Sequence, residues 1–138
     1  MKVSAGRVAG FVANPDPGIS AILVYGPNAG LVREYCNSLA RQILDDPSDP
    51  FRAAELTGAA IADTPTRLAD ELLALSFGGD RRLVTVRDGA DGLTKSLESA
   101  LDAGAEADMN AVALIEAGAL TGRSSLRKLC EKRDDCAA

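Results

Sequence analysis

Residues 21–34, AILVYGPNAGLVRE, decide the fold. Five apolar residues open this stretch, and because they are too few for a helix they predict a strand buried on both faces, as strands of parallel sheets are. A turn bounded by Gly26 and Gly30 follows, and an amphipathic helical pattern begins behind it. The stretch therefore predicts a strand, a loop and a helix in succession.

The loop in this stretch stands where phosphate-loop nucleotidases carry the motif G-x-x-x-x-G-K-[ST], whose glycines bring backbone N–H groups onto phosphates and whose lysine and hydroxyl handle charge and magnesium. Counted from residue 26, the second glycine position holds Leu31, the lysine position Val32 and the hydroxyl position Arg33. No other frame supplies the lysine, because residues 3–94 contain none. We therefore predict a nucleotide-binding scaffold without nucleotide chemistry. The loop that we expect to bind no phosphate consists of Gly26, Pro27, Asn28, Ala29 and Gly30.

The composition narrows the classes of function. The chain has 138 residues, the size of one domain, and its net charge of −5 argues against holding nucleic acid by bulk electrostatics. It contains no histidine, the commonest general base and neutral metal ligand, so we expect no catalytic residue, cofactor or metal. Cys36, Cys130 and Cys136 lack C-x-x-C spacing, which favours reduced thiols, and no apolar run reaches membrane-spanning length. We expect a soluble, cytoplasmic chain with no membrane contact.

Strand and helix patterns alternate along the chain. We predict strands at residues 21–25, 53–57, 83–86 and 111–115. The second of these has only moderate β propensity, which leaves a helical interpretation open. We predict helices before residue 14, over 31–44, from 64 to 77, from 94 to 103 and from 124 onward. Since parallel strands need crossover elements, the pattern predicts a three-layer α/β sandwich with a parallel sheet.

Two helices have predicted ends. Leu31, Tyr35, Leu39 and Ile43 recur every four residues and predict one helix across the sheet, which ends at Asp45-Asp46-Pro47. The helix from Thr64-Pro65 is expected to stop at Gly78-Gly79.

Charged residues follow the third and fourth strands. A magnesium-binding aspartate would follow the third strand of a phosphate-loop nucleotidase, and Asp88 lies near that place beside Arg87. Without the loop lysine, Asp88 and Glu116 are better interpreted as turn carboxylates. Two groups of cations remain, Arg81 with Arg82 and a cluster near the end of the chain. The cluster is interpreted as a solvated helix face, which leaves contact with a neighbouring subunit or a phosphate open. It consists of Arg123, Arg127, Lys128, Lys132 and Arg133.

The helix that is expected to end at Phe77 has two apolar sides. At about 100° per residue, Leu68, Leu72 and Leu75 share one stripe that predicts a core face. Leu73 and Phe77 lie about 140° and 180° from Leu68, away from the sheet. They either form an exposed anchor for a partner's hydrophobic pocket or, if the last turn unwinds, Phe77 folds inward to complete the end of the helix. The pattern leaves both open.

Five stretches in their order along the chain resemble a known family. They are residues 22–34 (ILVYGPNAGLVRE), 49–52 (DPFR), 55–58 (ELTG), 75–84 (LSFGGDRRLV) and 124–129 (SSLRKL). Together they are similar to the amino-terminal domain of the delta subunit of the bacterial DNA polymerase III clamp loader, in its alphaproteobacterial type.

This resemblance implies an AAA+-like domain over residues 1–138, a fragment of a longer protein, that binds no ATP. It implies a role in DNA replication: binding the sliding clamp (beta subunit) and helping to open it for loading onto DNA. Other loader subunits (gamma/tau and delta prime) would be contacted through missing domains, and DNA only within the complex. The chain itself would catalyse nothing, although the whole assembly is a DNA-directed DNA polymerase, a nucleotidyltransferase.

The resemblance also implies a clamp-binding site. The family inserts a Leu-Phe pair into a pocket of the clamp; Phe77 matches its phenylalanine, whereas Ser76 holds the leucine position and Leu75 comes one step earlier, with Leu73 as further apolar surface. The family's fifth strand would start about where this chain ends, so the first strand is expected at a sheet edge. Two alternatives stay open: a small phosphate-loop-like enzyme that depends on a nucleotide, and an architectural subunit domain without clamp contact.

Overall fold

The computed structural model describes residues 3, 5–15, 19–44, 52–73, 81–107, 111–133 and 136–137. Within these residues the strands are β1 Ala21–Val24, β2 Ala53–Thr57, β3 Arg82–Gly89, β4 Ala111–Ala117 and β5 Cys136–Ala137. The α-helices are α1 Val8–Ala13, α2 Ala29–Ile43, α3 Gly58–Asp63, α4 Arg67–Leu73, α5 Thr94–Ala107 and α6 Ser125–Lys132. Short 3-10 turns lead into α1 and α5.

The strands form one parallel sheet in the order β2-β3-β4-β1-β5. The four predicted strands are confirmed, including the weak run that became β2. The predicted edge position of β1 is wrong, because Ala21 and Ile22 pair with Cys136 and Ala137 on the side away from β4. The two residues of β5 pair with the first half of β1, and β5 is therefore the edge strand on that side.

Helices cover both faces of this sheet, as predicted. Successive side chains of a strand point to opposite faces, so Ala21 and Leu23 of β1 pack with α3, α4, α5 and α6, whereas Ile22 and Val24 pack with α1 and α2. Two apolar cores therefore lie on either side of the sheet. The three-layer α/β sandwich is confirmed.

The buried face of α2 does not follow the four-residue repeat. Val32, Cys36 and Leu39 are buried, whereas Leu31 is 43% exposed. A strict four-residue repeat drifts by about 40° per step around a helix of 3.6 residues per turn, so it does not mark a narrow stripe. The residues 32, 36 and 39 lie within about 60° of one another and form the true core face.

The segment between β2 and α4 also differs. Thr57 ends β2 and caps α3, its Oγ1 accepting a hydrogen bond from the Ala60 N–H at 3.1 Å. Thr64 closes α3 rather than opening the next helix, because its N–H donates to the Ala60 carbonyl. The Thr64-Pro65 start was therefore wrong, and α4 begins at Arg67. The predicted helix end at residues 77–79 lies outside the described residues.

Among the helices that the structure describes, none combines the length and the apolar character needed to cross a lipid bilayer.

Candidate functional site

The loop between β1 and α2 is fixed by hydrogen bonds to the end of β4 and within the start of α2. The Gly26 N–H donates to the Gly118 carbonyl at 3.1 Å, which ties the loop to the end of β4. Asn28 is the N-cap of α2: its Oδ1 accepts from the Leu31 N–H at 3.1 Å, and its backbone carbonyl accepts from the Val32 N–H at 3.0 Å. A backbone N–H at the head of α2 is therefore taken up by the protein's own side chain.

The lysine position of the motif points into the core. Val32 is only 5% exposed and packs in the apolar layer between α2 and the sheet. A Cβ built on Gly26 would be in van der Waals contact with Val32 Cγ2, at 3.7 Å, so the loop passes close to this side chain. A branched apolar group therefore fills the space beneath the loop, and it offers no charge to a phosphate.

Arg33, at the hydroxyl position of the motif, makes a two-point salt bridge with Glu116 of β4. Arg33 Nε donates to Glu116 Oε2 at 2.9 Å, and Arg33 Nη2 donates to Oε1 at 3.0 Å. Arg87 Nη1 of β3 donates to the same Oε2 at 2.6 Å, and Arg87 Nε donates to Glu55 of β2. These four residues form what we call the arginine–glutamate cluster. Its two cations and two anions balance.

The sheet brings the cluster together at the carboxyl ends of its strands. Glu116 is paired in register with Val24, the last residue of β1, directly before the loop. Arg87 is paired with Thr57 at the end of β2. Hydrogen bonding to Glu116 raises the pKa of the Arg33 guanidinium, so this cation stays charged. The cluster therefore lies at the carboxyl ends of the strands, which is the side of the sheet at which open α/β folds bind ligands.

Neither predicted turn carboxylate lies in a turn. Both strands run further than predicted, so Glu116 lies within β4 and Asp88 within β3. Asp88 sits at a register irregularity of β3 with φ of 56°, and the backbone there approaches α3 so closely that a Cβ on Gly58 would lie 2.5 Å from the Asp88 carbonyl oxygen. Within the described ranges, no three cysteine, aspartate or glutamate side chains group as a metal site requires.

The predicted clamp-binding residues are described only in part. Leu73, the last residue of α4, is 38% exposed, while Leu68 and Leu72 are buried as the core face of that helix. The predicted outward direction of Leu73 is confirmed. Leu75, Ser76 and Phe77 lie outside the described residues, so their site role stays a prediction.

Several of the remaining cations have internal partners. Arg82 is buried and donates to the Glu71 carboxylate at 2.9 Å, and Arg81 donates to the Ile19 carbonyl. Arg127 lies 5.1 Å from the centre of the Tyr25 ring and pairs with Glu131.

At the end of α6, Arg133 pairs with Asp102. Arg123, Lys128 and Lys132 are exposed, as predicted. The solvated-face interpretation therefore holds for these three cations only, because the others satisfy carboxylates or carbonyls of neighbouring elements.

Asp91 has a role that the sequence did not reveal. Its Oδ1 accepts from the Ser124 hydroxyl at 2.5 Å and from the Leu126 N–H at 3.3 Å, so it caps α6 together with Ser124. These hydrogen bonds lower the pKa of the Asp91 carboxyl. An aspartate 33 residues before the N-cap residue of a helix gives no local sequence signal of such a cap.

Comparison with known proteins identifies relatives of the fold. No family model matches the chain, and no curated protein matches its sequence. The structure resembles the DNA clamp loader delta protein YqeN of Bacillus subtilis, with a TM-score of 0.62 and 19% identity over 98% of this chain and 42% of that one. It also resembles a DNA polymerase III gamma-subunit-related protein of Thermotoga maritima, with a TM-score of 0.58 and 16% identity over 88% of this chain and 43% of that one.

The chain spans less than half the length of either structure. At these identities the likeness is one of fold, and it agrees with the predicted α/β architecture.

Proposed function

We propose that this chain is a clamp-loader subunit domain of the delta type, which binds a sliding clamp and helps to open it for loading onto DNA during replication, without binding ATP itself. The observation that carries the proposal is the loop: in a fold shared with clamp-loader proteins, the lysine position is a buried valine. The two matched structures bear different subunit names, delta and gamma-related, so the fold alone does not choose between them. A loop without phosphate chemistry favours the subunit that binds no nucleotide.

The exposed apolar end of α4 supports clamp binding. Leu73 is one of two large apolar side chains among the described residues that are clearly exposed, and it lies four residues before Phe77. An aromatic and a leucine four residues apart in the sequence have the size and chemistry of an anchor that fills a hydrophobic pocket. In this proposal Leu73, Leu75, Ser76 and Phe77 form the clamp-binding surface.

No bond is made or broken by the domain in this mechanism. A surface that binds the clamp better with its ring interface open than closed shifts the equilibrium toward the open ring by the difference in affinity. The remaining domains of a longer protein would join gamma/tau and delta prime subunits in the cytoplasm, and DNA would be met only within that assembly. ATP binding by those other subunits would control when the surface is presented.

Two binding measurements test the proposal. Calorimetry of the chain against the sliding clamp of the same organism should show saturable binding, and calorimetry against ATP with magnesium should show none. Saturable ATP binding without clamp binding would favour a small nucleotide-dependent enzyme. Absence of both would favour an architectural domain and would reject the clamp-binding role.

A further inference from the structure

One carboxylate accepts hydrogen bonds from two guanidinium groups at the carboxyl ends of the strands. Glu116 accepts three hydrogen bonds, two from Arg33 and one from Arg87, all between 2.6 and 3.0 Å. It is also well covered, with 15% of its side chain exposed, whereas Glu55 at the rim of the cluster is 59% exposed. Glu116 is therefore the acceptor on which the cluster is centred.

Two guanidinium groups that converge on one anionic group are the arrangement that recognises phosphate. Guanidinium donors match the oxygens of carboxylate and phosphate equally well, because both present paired acceptors to a planar fork of N–H groups. The place is also the one at which a phosphate is expected: Arg33 stands at the hydroxyl position of the loop motif, and Glu116 is paired with the residue that ends β1.

We infer that Glu116 is a built-in substitute for a phosphate: it fills an anion site formed by Arg33 and Arg87, and its removal opens this site to phosphate-bearing anions. This inference deepens the proposed lack of nucleotide binding, because it names the group that keeps the site closed. The carboxylate is held on the same chain as its two partners, so a free anion competes against an intramolecular acceptor of high effective concentration.

The bonding of the cluster leads to the same expectation. With Glu116 and Glu55 both present, two cations face two anions, and loss of either glutamate leaves one net positive charge. Loss of Glu116 also removes the acceptor on which Arg33 and Arg87 converge, whereas loss of Glu55 leaves the Arg33 and Arg87 bonds to Glu116 in place. Only the loss of Glu116 therefore empties the position between the two guanidinium groups.

Calorimetry with inorganic pyrophosphate, in the absence of magnesium, tests the inference. We expect Glu116→Ala and Glu116→Gln to bind pyrophosphate at least about tenfold more tightly than the wild type, since charge-assisted hydrogen bonds to a phosphate are restored. Glu55→Ala is the matched control and should bind no better than the wild type. The double variant Glu116→Ala/Arg33→Ala should lose the gain. A parallel titration with ATP distinguishes a site for nucleotide phosphates from one for free anions, and a gain in either supports the inference.

Glu116→Gln keeps the volume of the side chain, so it carries the test if Glu116→Ala fails to fold. For both variants, pyrophosphate should raise the melting temperature, while that of the wild type stays constant. If neither the variants nor the wild type bind pyrophosphate, or if the gain persists without Arg33, the inference is overturned and the proposed function stays intact. If the wild type binds pyrophosphate as tightly as the variants do, both this inference and the proposed lack of phosphate binding are overturned.

Discussion

Arg33 and Glu116 lie 83 residues apart in the chain and are joined by two hydrogen bonds of 2.9 and 3.0 Å. The salt bridge fixes the first turns of α2, directly behind the loop, to the end of β4. Because Arg87 bonds the same carboxylate, β3 is tied to the same point. The start of α2 is thus cross-linked to two strands of the sheet through one carboxylate.

This arrangement predicts unequal roles for the two glutamates of the cluster. Glu116→Ala should lower the free energy of unfolding by about 1–3 kcal/mol, because Arg33 loses the acceptor of both its hydrogen bonds and Arg87 loses one of its two carboxylate partners. Glu55→Ala should change it by less than about 0.5 kcal/mol, because this side chain is mostly exposed and Arg87 keeps Glu116. Urea denaturation measures both, and equal losses would contradict the central position of Glu116.

The clamp-binding surface is tested by truncating its apolar side chains. Leu73→Ala together with Phe77→Ala should weaken clamp binding by about 2 kcal/mol or more, as expected for a central anchor, measured by calorimetry. Leu31→Ala is the matched control, because Leu31 is similarly exposed but lies on α2, across the sheet from α4. Unchanged affinity in the double variant rejects this surface as the anchor, and an equal loss with Leu31→Ala shows that the effect is not specific to it.

Gly58 should tolerate no side chain. A Cβ at this position would lie 2.5 Å from the Asp88 carbonyl oxygen, a backbone atom that cannot move without bending β3. Gly58→Ala should therefore lower the free energy of unfolding by about 1–3 kcal/mol.

The control for this variant is Gly30→Ala in the first turn of α2, where the nearest contact is Asn28 Oδ1 at 3.5 Å. Alanine has a higher helix propensity than glycine, so the free energy of unfolding should stay constant or rise by up to about 1 kcal/mol. Thermal unfolding of both variants checks this pair, and a destabilised Gly30→Ala with an unaffected Gly58→Ala would show that the packing is misassigned.

Cys36 predicts a pH dependence. Burial raises the pKa of its thiol from 9.0 to about 12. Above pH 9 the unfolded thiol has lost its proton while the folded thiol keeps it, so the unfolded state binds fewer protons and stability falls with rising pH until about pH 12. The stability advantage of the wild type over Cys36→Ala should therefore shrink between pH 8 and pH 11, by at most about 1.4 kcal/mol per pH unit. A constant difference would contradict the burial of the thiol.

The parts of the fold that the sequence predicted are those with local signals. Short apolar runs between turn residues marked four strands, and the loop at Gly26 marked the link from strand to helix. The boundary at Thr64 was missed because a threonine before a proline suits a helix start, whereas here the neighbouring cap at Thr57 opens a separate helix first. The strand β5 was missed because two small residues carry no periodicity.

For the candidate site, the sequence predicted the missing lysine but not the arginine–glutamate cluster. The sequence shows that the lysine of the motif is absent, and aligning the motif from Gly26 places Val32 at the lysine position. The arginine–glutamate cluster was not predictable, because Arg33, Glu55, Arg87 and Glu116 come from four elements and meet only through strand order and register. Charged residues at the ends of adjacent parallel strands are the pattern that could have suggested it.

The position of β1 between β4 and β5 has a consequence for synthesis on the ribosome. Both neighbours of this strand are translated long after it, since they start at Ala111 and Cys136. This apolar segment must therefore wait, without its partner strands, until the later residues have left the exit tunnel. Formation of the sheet is consequently a late, non-local step, during which this segment is open to chaperones or to premature association with other nascent chains.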